Sequence, residues 1–347
     1  MIGFESWSVL TSDFLVVLYL AINGVTLASL LHLVNAKWRA KVRFLAVSLA
    51  GLFPLAFVLL LILLANGDHT FQWMNPGGHI HMVGEELNAW HNYTFLVIRE
   101  IVGFFVIAGM YGVFIKYQHE ATIDLSYETQ RKFRNVAMLI PAFYVIYATM
   151  VGWDFEMTQL PNWHSAMYAP YHFVSNFHFF IAFFAIFLFV LKKSGKLAVD
   201  VPDSVLNFLA QMMLAFTILW TYLYFSQYLI MWYGRLPEEI VRFRNMIQFD
   251  LGPAWWTFLA LKFIIPFCSL VFTPTRHNPI LIVSVASCIV VGSWLERYTW
   301  IAGSVEPQHY HIPMTGGFDI GVTVVIATAA FFSIRYTLSR FGLVKSS

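Results

Sequence analysis

The chain has 347 residues, 59% of them hydrophobic and only 12% charged, with a mean hydropathy of +0.66. That balance excludes a soluble globular domain, and a net charge of +2 leaves no basic footprint for nucleic acid. The two cysteines, Cys268 and Cys288, both fall in apolar runs, which excludes a disulfide framework, a cysteine-held iron–sulfur cluster and a c-type haem attached to this chain.

A helix needs about 20 residues to cross the ~30 Å hydrocarbon core. Nine runs are long enough: 14–35, 44–66, 93–116, 135–156, 166–191, 205–232, 252–273, 279–302 and 317–338. They predict an all-α integral membrane protein, with a first helix bundle over 14–156, a second over 166–302 and an extra helix at 317–338. The first run does not read as a cleavable signal, because Glu5 and Asp13 precede it and no basic segment does.

Lys and Arg placement sets the expected orientation. Lys37, Arg39, Lys41 and Arg43 follow the first run; Lys116, Arg131, Lys132 and Arg134 surround the next connection on the same side. Lys192, Lys193, Lys196, Arg276, Arg335, Arg340 and Lys345 continue the series, whereas the opposite loops carry only Arg235, Arg242 and Arg244. The expected arrangement has the N-terminus outside and the C-terminus in the cytoplasm.

Along the outer connections, the stretch after the second run contains His69, His79, His81 and His91. His79 and His81, with His309 and His311 near the end of the chain, form two H-x-H pairs. In extended chain each pair shares a face, so the four are candidate zinc or copper ligands, although no carboxylate spacing accompanies them. Near 233–251, Pro237 suits a first helical position and Glu238 and Glu239 suit a helix N-terminus. Ile240, Val241, Phe243, Met246 and Ile247 form an apolar stripe that predicts an interfacial helix, with Arg242, Arg244 and Asn245 on its polar face. The double acid is also a candidate proton exit.

Ionisable groups inside the apolar runs are the main chemical signal. A charge at bilayer depth costs at least ~2.5–3.5 kcal/mol unless paired or hydrated. Arg99, Glu100, Asp154, Glu296 and Arg297 all fall toward the outer ends of their runs, while Lys262 lies near mid-depth. His172 lies about two turns into the fifth run, His178 near its middle, and His164 just before it. Asp154, His164 and Glu296 are candidate proton-relay groups, since a carboxylate beside a histidine suits proton exchange with a quinol hydroxyl. Arg99, Arg297, Glu100 and Lys262 are their candidate charge partners. The structural alternative pairs Arg99 with Glu296 and Glu100 with Arg297 as helix–helix contacts. No two histidines face each other at matching depth as haem ligands require, because His172 and His178 are six apart on one helix.

Five segments carry a family resemblance: FQWMNP (71–76), NYTFLVIREIVGF (92–104), GWDFEMTQLPNWHSAMYAPYHF (152–173), WTYLYFSQYLIMWYGRLPEEIVRFRN (220–245) and LKFIIPF (261–267). Over residues 71–267 the chain resembles the NrfD/polysulfide-reductase-C-like membrane subunits of quinone-linked oxidoreductases. It is most similar to the smaller such subunit of alternative complex III, a quinol:electron acceptor oxidoreductase. The resemblance implies two four-helix bundles and no cofactor held by this chain. It also implies quinol chemistry or proton passage near the periplasmic face of a bacterial inner membrane. The implied partners are multihaem cytochrome c and iron–sulfur subunits, and a larger NrfD-like sister. Asp154, Arg99 and the Pro237-Glu238-Glu239 turn fall in the family's recurring motifs. The nine runs here depart from the ten of fuller members, and the H-x-H pairs match no family pattern. Rival readings are a quinone-exchanging anchor for a molybdopterin or sulfur-compound oxidoreductase, and an ion-coupled transporter.

Overall fold

The computed structural model describes residues 3–74, 87, 89–161, 163–235 and 237–344. Among the described residues, nine helices are long and apolar enough to cross a membrane. They are α1 (Phe4–Leu33), α2 (Arg39–Ala65), α3 (Tyr93–Ile123), α4 (Tyr127–Met157), α5 (Tyr168–Lys193) and α6 (Asp203–Tyr233), then α8 (Gly252–Leu270), α9 (Pro279–Ala302) and α10 (Gly317–Arg340). A shorter helix, α7 (Pro237–Gln248), links α6 to α8. The protein is an all-α, multi-pass membrane protein.

Local sequence explains the ends. The Asn92 side chain accepts from Phe95 N at 3.0 Å and starts α3; Ser126 caps α4 and Asn278 caps α9, where Pro279 fills the first position. The first helix begins ten residues before the expected start at 14. Its early polar residues can be buried within the helix because Ser8, Thr11 and Ser12 satisfy their hydroxyls on the carbonyls four residues back, at 2.8–3.0 Å. Asp13 therefore lies inside the span, buried, rather than ahead of it.

Helix α1 is the central element, packing against α2, α4, α5, α9 and α10. Helices α3 and α4 pair with each other; α5 pairs with α6 and α9, and α8 packs into the angle between α6 and α9. Helix α10 rides on α1 and α2 and is the least buried of the spans. The basic connections gather at one end of the bundle. There Arg43 Nη2 donates to Thr122 Oγ1 at 3.1 Å, Trp38 stacks on Phe208, and Ala198 N donates to Leu343 O at 3.0 Å.

The expected polar face of α7 is corrected at Arg242, which is buried. Its guanidinium donates to the carbonyls of Glu156 (3.0 Å), Met157 (3.2 Å) and Trp300 (2.7 Å), between the rings of Trp163 and Trp300. Orphan carbonyls at the ends of α4 and α9 need donors, and one planar guanidinium supplies three. Burial draws the Arg242 guanidinium down to about 10, opposed by Tyr168, Tyr310 and Glu156 nearby, so it stays cationic at neutral pH.

Candidate functional site

Two of the spanning helices contain a π-helical turn, and each turn carries buried ionisable residues. Trp153–Met157 ends α4 and bears Asp154 and Glu156; Ala260–Ile264 interrupts α8 and bears Lys262. Such single wide turns are rare and frequent at functional sites. All three ionisable side chains are buried, and three clusters grow from them, the second and third with Arg297 between them.

The first joins α3 to the turn in α4. Arg99 grips Asp154 with two bonds, Nε to Oδ2 at 2.7 Å and Nη2 to Oδ1 at 2.6 Å. The Trp90 indole donates to Asp154 Oδ1 at 2.7 Å, and Arg99 Nη1 donates to Trp90 O at 3.0 Å. The guanidinium lies over the Trp90 ring at 4.1 Å and the Phe95 ring at 4.8 Å. Glu100, fully buried, stands beside Asp154, and no N–H donor reaches its carboxyl oxygens among the described residues. The Arg99 guanidinium thus bonds Asp154 and leaves Glu100 without a donor among the described residues.

The second cluster is built on Glu156, which points away from Asp154 because residues two apart on a helix face different ways. Its Oε2 accepts from Tyr168 OH at 2.6 Å and lies 2.7 Å from His172 Nδ1. His172 Nε2 lies 2.5 Å from Tyr19 OH on α1. A carboxylate that accepts from Nδ1–H fixes the imidazole tautomer and leaves Nε2 facing the phenol. Gly152 makes this approach possible: a Cβ there would meet His172 Cγ at 2.8 Å.

The third cluster holds Lys262 against Glu296 on α9. Lys262 Nζ pairs with Glu296 Oε2 and donates to Ser175 Oγ at 2.8 Å; Ser175 Oγ in turn donates to the same Oε2 at 2.7 Å. Glu296 Oε1 accepts from Trp220 Nε1 at 2.7 Å and from Tyr171 OH. The Trp300 indole donates to Tyr171 OH at 2.7 Å. Gly292 lets α9 approach the wide turn, since a Cβ there would lie 2.9 Å from Lys262 Cγ.

Arg297 lies between the second and third clusters, within electrostatic reach of both Glu156 and Glu296. Its Nε donates to Asn176 Oδ1 at 3.0 Å, and Asn176 Nδ2 donates to His172 O at 2.8 Å. Glu156, His172, Glu296, Lys262 and Arg297 thus form a two-acid, two-base core with an imidazole, contributed by α4, α5, α8 and α9.

Several expected contacts are corrected. Asp154 and His164 do not meet; His164 is exposed, 3.8 Å from Glu239 Oε1, because α7 covers the α4–α5 connection. Arg99 pairs with Asp154 rather than Glu296, and Arg297 takes Asn176 rather than Glu100. The candidate relay carboxylates Asp154 and Glu296 do not come together: each lies in a separate cluster with its own cation, Asp154 with Arg99 and Glu296 with Lys262. His178 Nε2 lies 3.1 Å from Thr217 Oγ1, apart from His172. His79 and His81 lie outside the described residues, as does the side chain of Glu238. His311 Nε2 lies 2.6 Å from Glu5 Oε1, and no group of three metal-capable residues gathers among the described residues.

Glu156, Tyr19 and Tyr171 carry the geometry without having been singled out in the sequence. Glu156 had a signal, an acid two residues from Asp154 at the end of an apolar run. The tyrosines had none, since their partners lie 125 and 153 positions away. No family model matches the chain, and no curated protein matches it.

Proposed function

We propose that the chain is a membrane subunit of a quinol-oxidising respiratory complex of alternative complex III type, and that it accepts or relays the protons released near one face of the membrane. The observation that carries this reading is the Glu156–His172–Tyr19 chain on the wide turn of α4, beside the Lys262–Glu296 pair on the wide turn of α8. The resemblance over residues 71–267 supplies the reaction class. Quinol oxidation releases two electrons and two protons. In this reading the electrons pass to haem c or iron–sulfur centres of partner subunits, and this chain holds no cofactor.

The proton leaves a quinol hydroxyl for a base of the core. Glu156 is the acceptor best placed, because His172 and Tyr168 already orient its Oε2 and the imidazole links onward to the Tyr19 phenol. Lys262 and Arg297 keep the negative charge of Glu296 compensated while the Glu156 proton comes and goes. Asp154 with Arg99 fixes the wide turn from its other side. The same reading places the chain in a bacterial inner membrane as two four-helix bundles, α1–α4 and α5–α9, with α10 outside them. The Lys- and Arg-rich end faces the cytoplasm.

Mass-spectrometric identification of what leaves the membrane with this chain tests the assignment. The expected companions are a multihaem cytochrome c, an iron–sulfur protein and a larger sister membrane subunit. A molybdopterin subunit, or a stable active monomer, would replace this reading with an anchor or a transporter.

A further inference from the structure

A groove of about 900 Å³ runs between α1, α5 and α10, away from the ionisable core. That volume lies within the range of sites for small amphiphilic ligands. One end is closed by Asp13, whose Oδ1 accepts from Trp294 Nε1 at 2.7 Å and Oδ2 from Thr323 Oγ1 at 2.6 Å. These bonds tie α1, α9 and α10 together and engage both carboxylate oxygens, so this end offers a wall rather than a head-group site. The walls beyond it are apolar side chains of α1, α5 and α10.

The other end carries Lys196 and Arg335, both exposed and neither in an ion pair with a described residue. The tail of the chain frames this mouth: Ala198 N donates to Leu343 O at 3.0 Å, beside the bridge between Leu197 and Val344. From Thr323 to Arg335 the wall helix rises about 18 Å at ~1.5 Å per residue. Half of a ~30 Å hydrocarbon core is about 15 Å. The groove therefore has about the length of one leaflet, with two cations that have no ion-pair partner among the described residues at its basic end.

We propose that this groove binds an anionic phospholipid, its phosphate between Lys196 and Arg335 and one acyl chain along α10 toward Asp13. The assignment is independent of any redox role. Two basic residues near the membrane surface contribute about 1 kcal/mol each to anionic-lipid binding, a combined factor of about 30 in affinity.

Native mass spectrometry of the purified full chain, titrated with phosphatidylglycerol or with phosphatidylcholine of the same acyl chains, tests the site. Wild type should retain phosphatidylglycerol in preference to phosphatidylcholine. The double variant Lys196→Gln with Arg335→Gln should bind phosphatidylglycerol about 30-fold more weakly and lose the preference. Ala330→Trp, on the groove wall, should reduce retention of both lipids; if that variant does not fold, the double variant decides alone. Equal retention of the two lipids by wild type, or undiminished binding by the double variant, would overturn the proposal. So would a polypeptide cross-linked into the groove in place of lipid.

Discussion

Lys262 and Glu296 lie on different helices, 34 positions apart, and form an ion pair in which both side chains are almost wholly buried. Removing one member of such a pair leaves an uncompensated charge, which costs about 3–5 kcal/mol, whereas replacing both by neutral groups of similar volume is far less harmful. Lys262→Met and Glu296→Gln should each lower the thermal unfolding midpoint in detergent strongly, and the double variant should recover most of the loss. A double-mutant cycle with no coupling would show that the two groups do not depend on each other.

The Arg99–Asp154 contact depends on shape as much as charge. A lysine at 99 keeps the positive charge but not the two-pronged geometry or the stacking on Trp90. Arg99→Lys should therefore destabilise the protein by about 1.5–3 kcal/mol, the worth of a hydrogen bond to a charged group. Unfolding followed by tryptophan fluorescence would register it, and a wild-type midpoint would contradict the geometry.

Glycines at two positions separate packing from helix propensity. Gly152→Ala places a methyl against the His172 ring and should cost about 1–3 kcal/mol by overpacking. Gly109, in α3, has open space where a Cβ would go. Gly109→Ala should be neutral or stabilise by about 0.5–1 kcal/mol. The pair of midpoints checks both statements.

His91 lies outside the spans, where its Nε2 meets Thr158 O at 3.1 Å. Burial, assisted by nearby Arg99, holds its imidazole below the usual value of 6.5, against the pull of the Thr158 carbonyl and Asp154. The unfolded chain then binds a proton more readily than the folded one as pH drops below 6.5, so this contribution to stability is complete above that value and falls away in acid. Unfolding midpoints of wild type should fall more than those of His91→Gln between pH 7.5 and 5. Parallel curves would rule the contribution out.

How much of this was readable beforehand differs by level. The nine spans follow from run length and apolarity alone, because backbone groups in lipid must pair within the helix. Ser8, Thr11, Ser12 and Asp13 read as polar flank, whereas in the fold the three hydroxyls are satisfied within the helix and Asp13 by Trp294 and Thr323, so α1 starts earlier than the apolar run. That reading hid Asp13 as a buried carboxylate. Buried charges could be identified in the sequence but not matched: Arg99 and Asp154 are 55 positions apart, and which acid meets which base is set by helix rotation and packing. The wide turns at 153–157 and 260–264 leave no periodic trace, yet they turn Glu156 and Lys262 toward α5 and α9. Arg242 reads as a polar-face residue because an inward arginine needs carbonyl partners that only the folded ends of α4 and α9 provide.

Glu156 is the group on which the proton-accepting role depends. The most direct measurement is quinol turnover by the purified complex carrying Glu156→Gln, alongside the haem-to-protein ratio as a check on assembly. The expected result is an intact complex whose rate falls about 100-fold or more, the usual contribution of a positioned proton acceptor. An intact complex turning over at the wild-type rate would contradict it.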